Sequence, residues 1–188
     1  MNRKLLVIAI ALMAVAMLAT SLIGLAMAAK PEQISGEWRF TGPMPPIYSD
    51  QKQAGANVFA TQYNTGEYDV GPILGTFEQY IYMKLHFGNP KLDFEYLSTI
   101  NPSLWPPYDY NWHIERTFTG TVNGKTGTFT MNLEAKGSWT GSPSPGSLIG
   151  TWVIISGTGE LANLHGQGTW TNLNPQRLSY EGKINFSP

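Results

Sequence analysis

From Ser35 to the C-terminus the chain alternates apolar and polar residues, and this alternation limits what it can fold into more than any other feature. In GTFTMNLEAK, residues 127–136, Phe129, Met131, Leu133 and Ala135 share one parity. Thr128, Thr130, Asn132, Glu134 and Lys136 share the other. A period of two puts successive side chains on opposite faces of a strand, so the run predicts a strand with one buried face. RLSYEGKINF repeats the pattern, with Leu178, Tyr180, Ile184 and Phe186 opposite Arg177, Ser179, Glu181 and Lys183. TFEQYIYMKLHF sets Phe77, Ile81, Met83, Leu85 and Phe87 on one side. GEWRF, NVFATQY and HIERTFTGTV are further strand candidates, rich in β-branched and aromatic residues.

The punctuation between these runs fits antiparallel strands. Asn123-Gly124 is the pair that tolerates the positive φ angles of a type I′ hairpin turn. The run GSPSPG, residues 141–146, reads as a surface loop, and no amphipathic helix of ten or more residues is evident after the N-terminal segment. Residues 89–112 carry four prolines and several aromatic rings, break the alternation, and read as a long inserted loop. The expected class is all-β, a sandwich or a closed antiparallel barrel.

The N-terminus predicts a destination. Arg3 and Lys4 precede an apolar stretch from Leu5 to Ala29, with Ala26-Met27-Ala28 as a small-x-small cleavage pattern. A basic flank, an apolar run and such a site describe an export signal. The run is also long enough to cross a bilayer of about 30 Å as an uncleaved anchor helix. Residues 1–28 are therefore a signal peptide or a membrane anchor, and residues 33–188 the β domain. Both alternatives put that domain outside the cytoplasm, either secreted or held at the outer face of the membrane.

Composition narrows the chemistry. Removing residues 1–28 takes away Arg3 and Lys4 and moves the formal net charge from −1 to −3. No Lys/Arg block interleaves with aromatics, so nucleic acid is not an expected partner. The chain has no cysteine. That excludes a lipidated N-terminal Cys, a thiolate nucleophile and a thiolate metal site, and it leaves the domain to rely on its hydrophobic core.

One stretch suggests a cofactor and then withdraws the suggestion. GTGELA, residues 157–162, fits the glycine-rich turn that cradles a dinucleotide pyrophosphate. That turn must open a crossover helix leading to a parallel strand. Here ELANL has room for about one helical turn before HGQGTW resumes a strand-like pattern, which is too short for a crossover. These glycines make a corner between strands, and no cofactor is expected.

The same region carries a resemblance. GTWVIISGTGELANLHGQGTW, preceded by FTGTVNGKTGTFTMNLEAKG and followed by LSYEGKINF, resembles uncharacterised microbial proteins of the allene-oxide-cyclase-like barrel superfamily. Gly157, Gly159, Glu160, Leu161, Ala162, Leu164, Gly166 and Gly168 match the superfamily's second motif. The resemblance covers roughly residues 118–186 and, more weakly, the strands between 35 and 87. It implies an antiparallel closed barrel of about eight strands, with plant allene oxide cyclases and dirigent proteins as distant relatives. The cyclases' first-strand carboxylate has no counterpart near SGEWRFTGPMPP, and their cavity cysteine has none either. The resemblance therefore implies a fold but little chemistry. Cyclase relatives form trimers, so a homo-oligomer is compatible with it.

Candidate residues follow from parity. Arg116 falls on the apolar face of HIERTFTGTV with Ile114, Phe118 and Val122, and Gln79 falls between Phe77 and Ile81. A guanidinium inside a barrel needs a carboxylate, several carbonyls or an anionic ligand. The bland expectation is that the strand reads one register off, or that Arg116 pairs with an internal carboxylate such as Glu37, Asp93 or Glu160. The functional one has Arg116 and Gln79 orient the polar head of a small lipophilic molecule, with Phe118, Phe129, Met131 and Tyr180 around its apolar body. His86, His113 and His165 lack metal-ligand spacing, and His113 with Glu115 reads as a solvated surface pair, so no metal is expected. Glu160 reads as a turn-stabilising carboxylate. Trp105, Tyr108, Tyr110 and Trp112 either pack on the barrel wall, cap its mouth, stack on sugars or meet a bilayer interface. The functional expectation is a lipophile-binding barrel. The alternatives are a cofactor-free isomerase or cyclase, and a structural or adhesive surface domain with a filled core; no catalytic constellation is readable.

Overall fold

The computed structural model describes residues 30–42, 47–100, 104–140, 148–174 and 176–187. The expected signal or anchor at 1–28 and the loop at 141–146 lie outside the described residues. Among those described, no helix is long and apolar enough to cross a membrane.

Among the described residues nine antiparallel strands follow one another: β1 (Glu32–Phe40), β2 (Ile47–Ala54), β3 (Asn57–Val70), β4 (Ile73–His86), β5 (Tyr108–Val122), β6 (Lys125–Trp139), β7 (Ile149–Gly159), β8 (Leu164–Asn174) and β9 (Arg177–Phe186). A short helix, α1 (Phe94–Ser98), lies between β4 and β5. The sheet runs β2-β3-β4-β5-β6-β7-β8-β9-β1, and β1 returns to pair with β3, closing a barrel of eight strands. The expected class holds, with β2 as an additional ninth strand that the alternation did not reveal.

The closure is incomplete along β3, and this shapes the interior. The C-terminal part of β3 pairs with β1, from Val70 opposite Glu37 to Gly66 opposite Phe40. Its N-terminal part pairs with β2 instead, from Tyr63 opposite Ile47 to Asn57 opposite Ala54. Strands β3 to β6 span 14–15 residues each, whereas β1 has only 9. One end of the molecule is therefore a closed barrel. At the other, the long strands and β2 form a curled sheet covered by the β4–β5 connection.

Local sequence explains the turns. Asn123 and Gly124 have φ of 51° and 78°, both positive as a type I′ hairpin requires. Gly159 (φ 62°) ends β7, and residues 160–163 turn straight into β8, so the glycine motif is a strand corner and no crossover helix follows it. Gly157 has no room for a Cβ, because the Leu161 carbonyl packs against it.

The inserted loop needs correction at its C-terminal boundary. Residues 108–112, expected to be loop, open β5, where Tyr108 pairs with Trp139 and Trp112 with Ala135. The alternation Tyr108, Tyr110, Trp112 against Asp109 and Asn111 was hidden by Pro106 and Pro107 immediately before it. Within the remainder, Asp93 caps α1 by accepting the Tyr96 amide at 3.0 Å, while Phe94 and Leu97 are buried.

Candidate functional site

All six residues expected to face a ligand point into the closed end, on strands β4, β5, β6 and β9. Gln79, Arg116, Phe118, Phe129, Met131 and Tyr180 are each less than 5% exposed. Strand register joins several of them in one layer, with Asn64 opposite Gln79, Gln79 opposite Arg116, and Arg116 opposite Met131. Phe118 and Phe129 stack at 4.5 Å between ring centres, and Tyr180 meets Tyr68 edge-on at 5.4 Å.

Arg116 lies at the centre of this layer, and among the described residues no carboxylate bonds it. Its Nε and Nη2 both donate to Gln79 Oε1, at 2.9 and 2.6 Å, and its Nη1 donates to the Tyr68 hydroxyl at 2.6 Å. The guanidinium carbon sits 3.9 Å from the Trp38 ring centre and 4.0 Å from that of Phe77. Those rings stand nearly perpendicular, so the cation occupies the corner between them. Cation–π contact of this kind is worth about 2 kcal/mol when desolvated, which offsets part of the burial cost. Burial pushes the guanidinium below its ordinary pKa, and the Tyr68 oxygen acts in the opposite direction.

The bland pairing expectation fails at each carboxylate. Glu37 is held by Arg177 at 2.8 Å on the outer seam, where Arg177 also bonds Asp69. Asp93 caps α1. Glu160 accepts the Thr126 amide at 2.8 Å, while its own amide donates to the Thr126 carbonyl. The glycine corner is thereby lashed to the β5–β6 hairpin, and Glu160 supports that neighbouring hairpin rather than its own turn. The partners of Arg116 are instead an amide, a phenol and two rings. Parity pointed to Phe77 as inward-facing, but Trp38 and Tyr68 were not anticipated because they come from distant strands.

Donors outnumber the acceptors they meet in this layer, where the Tyr180 hydroxyl is also buried without a partner. Arginine carries five N–H groups, and three are engaged by the bonds above. Gln79 Nε2 is buried without a partner. Surplus buried donors around a cation suit a negatively charged group. Space is the opposing fact, since the adjoining cavity lined by Trp38, Tyr68, Ile73, Met131, Leu133, Trp152, Trp170 and Tyr180 measures about 10 Å³. That holds about one water molecule.

Glycines explain how so many rings fit. A Cβ at Gly75 or Gly120 would run into Phe118 or the facing backbone, and one at Gly168 or Gly182 would meet Trp152. Small positions opposite large ones fill the interior of a narrow barrel with side chains.

The outer surface carries separate features. His113 lies 2.6 Å from Glu134 and 3.8 Å from Glu115, with Tyr82 stacked on its ring. All of these are on the exterior, and no group of three or more metal-ligating side chains is arranged to hold an ion among the described residues. His86 contacts Asn57 and His165 is exposed, so the three histidines do not converge. A polar groove of about 560 Å³ runs along β2 beside α1, lined by Tyr48, Asp50, Lys52, Gln53, Asp93 and Glu95 among others.

Comparisons with known proteins agree with the architecture. Residues 113–183 match a family model described as "Protein of unknown function (DUF3224)". Among solved structures, the chain is similar to a protein of unknown function from the DUF3224 family of Shewanella oneidensis MR-1. The two share 14% identity with a TM-score of 0.57, over 85% of this chain and 99% of that one. At that identity the likeness is one of fold. No curated protein matches the sequence.

Proposed function

We propose that this chain is an exported barrel that takes a small lipophilic molecule with an acidic head, the head bound by Arg116 and Gln79. The observation that carries this reading is a fully buried guanidinium with donors to spare and, among the described residues, no carboxylate partner. Leaving a charge so poorly compensated costs several kcal/mol, and a purely structural core gains nothing from it that an apolar side chain would not supply. The apolar run at 5–29 supports export, and the resemblance to the allene-oxide-cyclase-like superfamily supports a ligand-handling barrel. Cyclisation or isomerisation has weaker support, since among the described residues the buried polar side chains are Asn64, Gln79 and Arg116, which form no acid–base pair.

A second reading is favoured by the cavity of about 10 Å³. Ligand sites usually offer roughly 300 Å³ or more, so a self-filled scaffold acting through its outer surface fits the closed interior. Mass spectrometry of small molecules extracted from natively purified protein, repeated with Arg116→Met, separates the two. Binding predicts a lipophilic acid in the wild-type extract, its loss in the variant, and an apo variant at least as stable as wild type. An empty extract, together with a variant that is strongly destabilised, would leave the scaffold reading standing.

A further inference from the structure

The interior differs in how its two ends are filled, and that difference suggests where a ligand would enter. At the end where β3 pairs with β2, the opposite wall is formed by the connection between β4 and β5. Phe87, Phe94, Leu97 and Trp105 are all buried there in the apolar core. Their rings touch the sheet through Tyr48 of β2, 6.1 Å from Phe94 and 5.9 Å from Trp105, and through Tyr108 of β5, 5.1 Å from Phe87.

Among its described residues, 87–100 and 104–107, this segment meets most of its polar needs internally. Leu92 donates to Asn89, Leu97 to Asp93, Thr99 to Tyr96 and Ile100 to Leu97 through the backbone. Asp93 accepts from Tyr96, Ser98 bonds the Glu95 carbonyl, and Trp105 Nε1 bonds the Leu97 carbonyl at 2.8 Å. Among the described residues, its hydrogen bonds to the sheet are Phe87 to Ala56 at its root and Gln53 to the Leu92 carbonyl at 2.6 Å. Gly88, at φ 70°, forms one root, and Pro106-Pro107 the other. A unit bonded internally and seated mainly by side-chain burial can leave as one piece, because departure exposes apolar surface but orphans few polar groups.

We propose that the seat of Phe94, Leu97 and Trp105 is a binding site for a small ring-containing lipophile, and that the segment fills it until ligand arrives. The inference rests on the reading of this chain as a lipophile-binding barrel and names a second place for such a molecule, since Tyr108 beside the seat lies roughly 26 Å along β5 from Arg116. The segment's own rings show the chemistry the seat accepts: flat, apolar bodies with little need for hydrogen bonds. Ligand and segment compete for the same surface, so apparent affinity is reduced by the fraction of molecules whose segment is seated.

Pinning the segment tests this. The chain has no cysteine, so Gln53→Cys with Leu92→Cys can be bridged specifically by a short bis-maleimide. The same variant capped with a monofunctional maleimide is the control. The probes are 1-anilinonaphthalene-8-sulfonate and its uncharged analogue N-phenyl-1-naphthylamine. Saturable one-to-one binding of both in the capped protein is expected, weakened about tenfold or more by bridging, with Trp105→Ala binding about tenfold tighter. Equal binding by bridged and capped protein would overturn the seat while leaving the ligand reading intact. Absence of saturable binding in every form, including a Trp105→Ala variant that still melts cooperatively, would overturn both.

Discussion

The closed end and the covered end of this molecule use the same kind of residue in opposite ways. At the closed end Trp38, Phe77, Phe118, Trp152 and Trp170 belong to strands, so each ring is fixed by two neighbouring ladders. At the covered end Phe94 and Trp105 belong to a connection whose hydrogen bonds are mostly its own. The closed end also surrounds a charge with rings, whereas the covered end has no buried charge among its described residues. Rings carried by a ladder can be lost only with the barrel. Rings carried by a self-contained connection can be lost alone.

The largest expected effect comes from emptying the ladder-borne core. Phe118→Ala should cost about 4 kcal/mol, read as a lowered denaturant midpoint with no early phase, because the Phe118–Phe129 stack cannot be released piecemeal. A biphasic transition would break the contrast between the ends. Next comes Gln79→Leu, which removes the acceptor of two Arg116 bonds while leaving the cation in place. A loss of about 3 kcal/mol in chemical denaturation is expected, whereas Arg116→Met should stay within about 1 kcal/mol of wild type or gain stability. If Arg116→Met proves the worse of the two, the cation is a net stabiliser and the donor-surplus account fails. Trp105→Ala should cost less than Phe118→Ala, about 2 kcal/mol, because the segment can detach and cap the penalty at its own docking energy. The measurement is the same denaturant series, and equal costs would make the ends equivalent.

The smallest effect is on alkaline stability. Burial, assisted by neighbouring phenols, holds Tyr48, Tyr108 and Tyr180 above the ordinary tyrosine pKa. A raised folded pKa means the stabilising contribution is complete below the unfolded value of about 10 and is lost as pH rises through the folded value. Tyr48 and Tyr108 contact the segment, so their tyrosinate absorbance and that of Tyr180 above about pH 10, isolated by difference against Tyr48→Phe/Tyr108→Phe and Tyr180→Phe variants, should develop in two stages, with those two ionising before the barrel opens and Tyr180 only with it. One stage coincident with global unfolding would contradict this.

Much of the architecture was readable before any coordinates. Parity alone put Gln79, Arg116, Phe118, Phe129, Met131 and Tyr180 on inward faces, because a barrel makes the pleat and the core coincide. What parity cannot convey is register between distant strands. Trp38 reaches Arg116 from β1, and it is the fold that brings them together. Opposite charge points to Glu37, Asp93 and Glu160, and each of these is engaged elsewhere. β2 escaped notice because IYSDQKQA is mostly polar, carries a register shift between Ser49 and Lys52, and has Asp50 at φ 51°. The seating of Trp152 over Gly168 and Gly182 was equally hidden, since those glycines read locally as turn formers.

Native-state hydrogen exchange followed by mass spectrometry reads the opening of the two ends separately, by comparing amides of residues 92–100 with those of residues 114–120 in β5. The segment should exchange through an opening several kcal/mol cheaper than global unfolding, while β5 should exchange only with the whole barrel. Equal protection of the two stretches at every denaturant concentration would show that segment and barrel open together, and would contradict the contrast between the two ends.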